Sequence, residues 1–526
     1  MTFAITQNCC TDAACVAVCP VNCIHPTPGE RDFGTTETLY IDPGACIDCG
    51  ACADACPVDA VHPVAELTPA QQPYAGINAA YFEGTGQPAS GAGAGAGVDH
   101  GPNFHAWGAP SFDRVLPADF APLRVAIVGT GPAGMYAAED LLLHTRSEVT
   151  LVDRLPAPGG LIRYGVAPDH PATKRIGETF ARFHTHPRVR LHLGLDVGTH
   201  ITADELAAHH DAVIYAVGAA SDRRLGIPGE DLPGSIAATT FVAWYNAHPE
   251  VAPDAVDLSS DRVVVVGNGN VALDVARILV SDPDSLAGTA IAGHALEELR
   301  RSKVREVVLL GRRGPEHAAC TGTELLALKN LPGVDLVVDD HDARIGTAID
   351  AAGAAGAAHK AGLFRDVPRE AVDWSAPPRT AGGRRRIVFR FHSEPLALHG
   401  DGHLRAVRVT SGAGDARGAG EAGEAGEREI PAGLALRAIG YRGVPQAGLP
   451  FDEESGTVPH EGGRVTGRPG TYVVGWIKRG PSGGIGTNRR CAAETVGTLL
   501  ADAVAGRLPA PTGGARAFRR LARRRR

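Results

Sequence analysis

The chain has 526 residues, 44% hydrophobic and 21% charged, with a formal net charge of −8. That composition excludes a wholly disordered chain, and the acidic balance argues against a nucleic-acid binder. No apolar run reaches the ~18 residues a membrane helix needs, and the opening residues lack a cationic segment and an apolar core, so a cytoplasmic location is expected.

Nine of the 11 cysteines lie between Cys9 and Cys56. In a long chain without a secretory signal, that clustering points to metal or cluster ligation, not to a disulfide scaffold. Residues 1–63 carry eight acids against one base, Arg31, which is nearly the whole acidic excess. The segment 64–85, with Leu67, Tyr74, Ile77, Tyr81 and Phe82, is expected to wrap around this unit, giving an α+β domain over 1–85.

Cys46-x2-Cys49-x2-Cys52-x3-Cys56-Pro57 is the register in which three close thiolates hold three irons of one cubane and the fourth reaches a second cluster. Cys9-x2-Asp12-x2-Cys15-x3-Cys19-Pro20 repeats it with Asp12 at the second position. The crossed assignment gives Cys46, Cys49, Cys52 and Cys19 to a 4Fe–4S cluster, and Cys9, Cys15 and Cys56 to the other. A carboxylate is a harder ligand than a thiolate. The second cluster is therefore expected as 3Fe–4S, with a 4Fe–4S completed by Asp12 as the alternative. Cys10 and Cys23 fall out of register and are expected to be spare, although Cys10 could replace Cys9.

Gly91–Gly97 alternates glycine and alanine, and residues 86–121 read as a flexible linker spanning roughly 30–36 Å. Strands then alternate with helices, the α/β pattern of parallel sheets. Arg124–Val128 is predicted as a strand that ends in Gly129-x-Gly131-x-x-Gly134 and leads into a helix, with Asp153 closing the next strand. That is the dinucleotide-binding context: glycines for the turn, phosphate and packing, and an acid for a ribose hydroxyl. Gly160 and Leu161 are further cofactor-binding candidates. A second fingerprint, Gly267-Asn268-Gly269-Asn270-Val271-Ala272, follows a predicted strand at Arg262–Val266. Its next strand ends in Arg312 and Arg313 instead of an acid, which suits the 2′-phosphate of NADP(H).

Two such sites are the arrangement of flavin–nicotinamide reductases, the first taking FAD and the second lying in an insertion. The expected division is a FAD-binding domain over 122–221 and 438–510 and an NADP-binding domain over 222–437. Thr471–Val474 reads as the returning strand, and Gly483-Gly484-Ile485-Gly486 opens a helix to about Ala501. Trp476 could pack beside the flavin. Gly412–Gly426 reads as a loop, and residues 511–526, with seven arginines, as a solvated basic tail.

Residues from about Leu123 to Leu508 resemble the adrenodoxin reductase family of ferredoxin–NADP reductases. The resemblance rests on Gly165-Val-Ala-Pro-Asp-His-Pro171, on the run from Gly267 to Arg277, on Gly311-Arg-Arg-Gly-Pro315 and on Gly475-Trp-Ile-Lys-Arg-Gly-Pro-Ser-Gly483. The whole chain is similar to actinobacterial fusions of a seven-iron-type ferredoxin with such a reductase. The resemblance implies hydride transfer between NADPH and FAD, then single-electron transfer to the fused clusters and on to an external partner. That partner would be a ferredoxin or a haem-thiolate monooxygenase, and the chain a monomer or weak oligomer. It also implies catalytic roles for His170 and Glu324 near the nicotinamide or flavin, and pyrophosphate contacts from Asn268 and Val271. Arg312 and Arg313 would hold the 2′-phosphate, Trp476 and Ile485 would neighbour the flavin, and Gly483 the nicotinamide. Ala327 replaces a carboxylate that many relatives carry one turn after Glu324. The acidic ferredoxin unit is expected to dock on bases of the reductase, with Lys174, Arg175, Lys478 and Arg479 as candidates. A glutamate-synthase-like small subunit and a non-catalytic redox sensor are the competing readings. The short cysteine module and the two intact fingerprints weigh against them.

Overall fold

The computed structural model describes residues 2–84, 114–352, 357–379, 383–410 and 426–525. Two compact units emerge. The first comprises Met1–Val166, Ala172–Ser221 and Tyr441–Arg526; the second comprises Ala167–Pro171 and Asp222–Gly440.

The first unit opens with the cysteine-rich module. Strand Phe3–Ile5 pairs antiparallel with Val61–Pro63, and Ile24–His25 with Tyr40–Ile41. The two cysteine runs adopt one conformation twice. Short helices Ala14–Val18 and Ala51–Ala55 each start from a left-handed residue, Ala13 and Gly50, and end at an extended cysteine, Cys19 and Cys56. Left-handed Thr11, Ala13 and Asn22 recur as Asp48, Gly50 and Asp59, each 37 residues later. Asp12 and Cys49 are therefore equivalent positions. The helix Pro73–Gly84 closes the module as expected for 64–85. Buried Asn78 accepts from Ile5 N (3.1 Å) and Ile41 N (2.8 Å) and donates to Ile5 O (2.9 Å), clamping two strands at once.

The rest of the first unit is a seven-stranded sheet. Thr471–Val473, Ala212–Tyr215, Arg124–Val128, Glu148–Asp153 and Val189–Leu193 run parallel in that order, and Arg464–Val465 and His460–Glu461 add an antiparallel edge. Val125 to Val128 is a continuous buried apolar run, as a parallel strand covered on both faces requires. The returning strand Thr471–Val473 and the helix Thr487–Val504 lie where the sequence placed them.

Two boundaries differ from expectation. The linker prediction of 86–121 falls largely outside the described residues, but its end is anchored. Arg114 bonds both Asp140 oxygens and Ala493 O, and Leu116 and Phe120 pack on the core. The basic tail is a helix, Ala515–Arg525. Phe518, Leu521 and Ala522 make a stripe at helical spacing, and Phe518 is 2% exposed against His192, His209 and His210. The arginines solvate one face while three apolar residues dock the other. The predicted loop at Gly412–Gly426 lies, but for Gly426, outside the described residues.

The second unit has its own seven-stranded sheet, parallel throughout. Its order is Ser235–Ala237, Leu434–Arg437, Arg262–Val266, Glu306–Leu310, Arg385–Arg390, Val334–Asp339, Arg369–Glu370. A three-stranded antiparallel sheet, Pro395–His399, Ala406–Thr410 and Glu427–Pro431, packs on it. Each unit makes the same sharp turn after its central strand. Gly129 (φ +104°) and Gly267 (φ +118°) would each carry a Cβ to 2.4 Å from a backbone oxygen, of Ala216 and of Ala438 respectively. Only glycine fits either place.

Candidate functional site

Cys19, Cys46, Cys49 and Cys52 line one pocket with Phe3, Val21, Cys23, Ile47 and Gly50. That is the four-thiol set of the crossed assignment in an apolar wall, a donor set that suits an iron–sulfur cluster. Cys23 is not a bystander: its Sγ lies 3.4 Å from Cys19 Sγ, and its backbone N–H points at the same sulfur. Spacing gave no sign of this, because the chain turns back on itself between the two. The second set also comes together, since Cys9, Asp12 and Cys56 all lie within electrostatic reach of Cys15. Asp12 is 9% exposed, and burial raises its pKa. Its Oδ1 accepts from Ala14 N (3.3 Å) and its Oδ2 lies 3.6 Å from Arg489.

In the sheet of the first unit, the fingerprint Gly129, Gly131, Gly134 spans the strand end and the start of the helix Pro132–His144, and Gly160 approaches Gly131. Leu161 begins the helix Leu161–Tyr164. Asp153 ends its strand but is turned inward. It accepts from Thr130 N and Leu155 N (both 2.9 Å) and from the Thr130 hydroxyl, so it ties two loops together at the strand end. Trp476 donates to Ser482 O (3.1 Å) and Gly483 O (3.3 Å), fixing the glycine loop ahead of Ile485, which packs on the core.

In the second unit, Gly267 and Gly269 lead into the helix Asn270–Val280, where Val271 is half-buried and Ala272 buried. Asn268 accepts from Ala319 N (3.2 Å) and Asn270 from Thr321 N (2.8 Å), so both hold the following loop against the fingerprint turn. Arg312 and Arg313 lie in the bend just after the neighbouring strand Glu306–Leu310, exposed and with no side-chain partner among the described residues.

One half-buried cluster joins residues from three segments of the second unit around buried Arg277. Thr321 caps the helix Gly322–Lys329 by accepting from Glu324 N (3.3 Å), which places Glu324 in its first turn. Asp274 and Arg277 share a face of the helix Asn270–Val280 at i, i+3. Arg277 bonds Asp169 in bidentate fashion (2.6 and 3.0 Å) and Asp274 (2.7 Å), and lies 3.7 Å from Glu324. It also stands 2.6 Å from His170 Nε2, which must then accept, so the imidazole is neutral in this geometry. Burial lowers the His170 pKa, but the Asp274 and Glu324 carboxylates outweigh it and raise the value despite Arg277. Protonating His170 therefore requires Arg277 to move off Nε2. Burial opposes the charge on Asp274, yet Arg277 and His170 hold its carboxyl below the ordinary range. Burial and the Asp274 charge push Glu324 up, and its Oε2 has no hydrogen-bond partner among the described residues. His170, Asp274 and Glu324 sit within 4.8 Å of one another in metal-like spacing, but the Arg277 guanidinium already supplies the cation. His170 and Glu324 came from the resemblance. Asp169, Asp274 and Arg277 were in the same quoted stretches, but nothing in the sequence told which of those charges would meet.

Of the predicted docking bases, Arg175 reaches the cysteine module, at 3.1 Å from Asp59. Lys478 is buried against Glu494, Arg479 bonds Asn488, and Lys174 bonds Arg163 O.

Two family models match the chain: a pyridine nucleotide-disulphide oxidoreductase over residues 123–312 and a 4Fe-4S dicluster domain over residues 7–60. A Mycobacterium tuberculosis protein named "Probable ferredoxin/ferredoxin--NADP reductase" is 47% identical over 524 residues, covering 97% of this chain and 85% of that protein. The NADPH-ferredoxin reductase FprA of the same organism is 50% identical over 390 residues, 72% of this chain and 84% of that one. The solved structure of FprA in complex with NADPH superimposes with a TM-score of 0.69 at 45% identity, over 77% of this chain and 91% of FprA.

Proposed function

The chain belongs to the ferredoxin/ferredoxin–NADP reductases, and on that premise we propose how its residues share the transfer of electrons between NADPH and iron–sulfur clusters. NADP(H) binds on the Gly267–Ala272 turn, with Arg312 and Arg313 on the 2′-phosphate. FAD binds on the Gly129–Gly134 turn, flanked by Gly160, Leu161, Trp476, Gly483 and Ile485. When bound, FAD supplies the exchange between a two-electron hydride and one-electron carriers. Burial and the Asp274 charge push Glu324 toward its protonated form, while Arg277 keeps Asp274 ionised, so Glu324 is the proton-holding group of the cluster and His170 stands beside it. Cys19, Cys46, Cys49 and Cys52 hold a 4Fe–4S cluster; Cys9, Cys15 and Cys56 hold a 3Fe–4S cluster. The external electron partner is a ferredoxin or a haem-thiolate monooxygenase, and the enzyme works in the cytoplasm as a monomer or weak oligomer. No helix among the described residues is long and apolar enough to cross a membrane.

The observation that carries this reading is the coexistence, in one compact unit, of a cysteine-lined pocket and a dinucleotide turn. The test is anaerobic titration with NADPH, followed by the flavin absorbance and by paramagnetic resonance of the clusters, with iron and flavin counted. Bleaching of flavin followed by cluster reduction is expected. A protein whose flavin stays oxidised under NADPH refutes the reading.

A further inference from the structure

The cysteine module touches the flavin-side domain through one of its two halves. The backbone at Cys10, Thr11 and Asp12 lies against Gly486, at the start of the helix Thr487–Val504. Gly486 N donates to Cys10 O at 3.1 Å, and a Cβ on Gly486 would fall 2.3–2.6 Å from this backbone. On that helix, Arg489 faces Asp12 and also lies over the Tyr136 ring, 5.8 Å from its centre. Arg490 lies over Phe33 at 5.7 Å, and Arg175 reaches Asp59. The opposite rim, by contrast, is open: Ile47 is 58% exposed and Cys49 is exposed.

We propose that the cluster held by Cys9, Cys15 and Cys56 is the one that exchanges electrons with the flavin, and that Asp12 is a docking residue for Arg489 instead of an iron ligand. The proposal rests on the reductase reading above. Both Asp12 oxygens already face protein donors, Ala14 N and Arg489, and its backbone packs on Gly486. A fourth iron would have to pull the carboxylate off Arg489. Asp12 thus breaks the thiolate register where the module needs a negative charge at its interface. The hydride that NADPH donates brings two electrons. They cross this interface singly to the cluster beside Asp12, pass one at a time to the cluster at the exposed rim, and leave from there to the external acceptor; the flavin's proton goes to solvent. Asp12 and Arg489 are positioning residues in this scheme.

The test uses the full holoprotein. Asp12→Asn and Arg489→Ala should each keep seven irons and the oxidised three-iron resonance signal. NADPH should bleach the flavin at the parent rate, while cluster reduction slows about five- to tenfold, as for loss of a partly buried ion pair. The double variant should be no slower than either single one, Arg489→Lys should restore part of the rate, and raised salt should slow the parent but not the variants. A change of iron count or of the resonance line shape in Asp12→Asn would make Asp12 a ligand and overturn the assignment, as would unaltered cluster reduction. Cys49→Ser, which removes the other cluster, should leave the three-iron signal reducible by NADPH; loss of that reduction with flavin bleaching intact overturns the order. Failure of flavin bleaching in the parent refutes instead the underlying reductase reading.

Discussion

Replacing both Arg312 and Arg313 by Ala should collapse the preference for NADPH over NADH. The two side chains follow the strand beside the second fingerprint, exposed and without an intramolecular partner among the described residues, so no described side chain competes for them. A charge-assisted bond to phosphate contributes about 1.5–3 kcal/mol, and exposure with salt screening reduces this to about 1–2 kcal/mol per arginine. For the pair that is about 2–4 kcal/mol, or roughly thirty- to a thousandfold in relative affinity. The loss should fall on NADPH and spare NADH, which lacks the phosphate. It should raise KM more than it lowers kcat, because the phosphate is bound alike in the ground and transition states. Since neither arginine is built into the core, the melting temperature should not change. The assay is steady-state kinetics with both coenzymes at one fixed ionic strength, since added salt alone mimics the effect. A double variant that keeps its original NADPH preference would refute the assignment of this strand end to the phosphate.

Asp12→Cys should complete the interrupted thiolate register and raise the iron content from about seven to about eight per chain, checked by iron analysis and loss of the three-iron resonance signal. Phe518→Ala should cost about 3–5 kcal/mol, because the ring is 2% exposed between three histidines; thermal unfolding measures it, and an unchanged melting temperature would return residues 511–526 to a solvated tail. His210 donates from Nδ1 to Leu206 O (2.9 Å) and accepts at Nε2 from Thr150 (3.0 Å), a neutral tautomer, and burial lowers its pKa to about 4. The unfolded chain therefore binds the proton first, and stability present above pH ~6.5 is lost as pH falls toward 4, by up to about 3 kcal/mol. His210→Gln should flatten that part of the stability–pH profile, measured by denaturant unfolding at several pH values.

Chemistry carried by short spacing was legible without coordinates. The cysteine registers, the two glycine turns and the arginines at a strand end each depend on residues that neighbours along the chain already orient. Even the 37-residue repeat that makes Asp12 the counterpart of Cys49 is visible as a register. What the sequence left open was which distant charges meet. Asp169, His170, Asp274, Arg277 and Glu324 come from three segments, and folding alone brings them into one half-buried cluster, where partial desolvation and their mutual distances shift the protonation of His170, Asp274 and Glu324. Asp153, a strand-end acid with a ribose hydroxyl as its expected partner, also accepts from Thr130 N and Leu155 N, a bracing role that its position in the fingerprint does not show. The arginine-rich end looked solvated because charge dominates its composition, yet three apolar residues on one helical face found a groove to fill. Docking of the cysteine module falls to Arg175, which the sequence named, and to Arg489 and Arg490, which it did not, because the helix that starts at Thr487 presents the last two outward while Lys478 is buried against Glu494 and Arg479 is engaged by Asn488. Local spacing specifies what a residue can bind, but the burial and direction of its side chain, set by packing across the sheet, determine what it does bind.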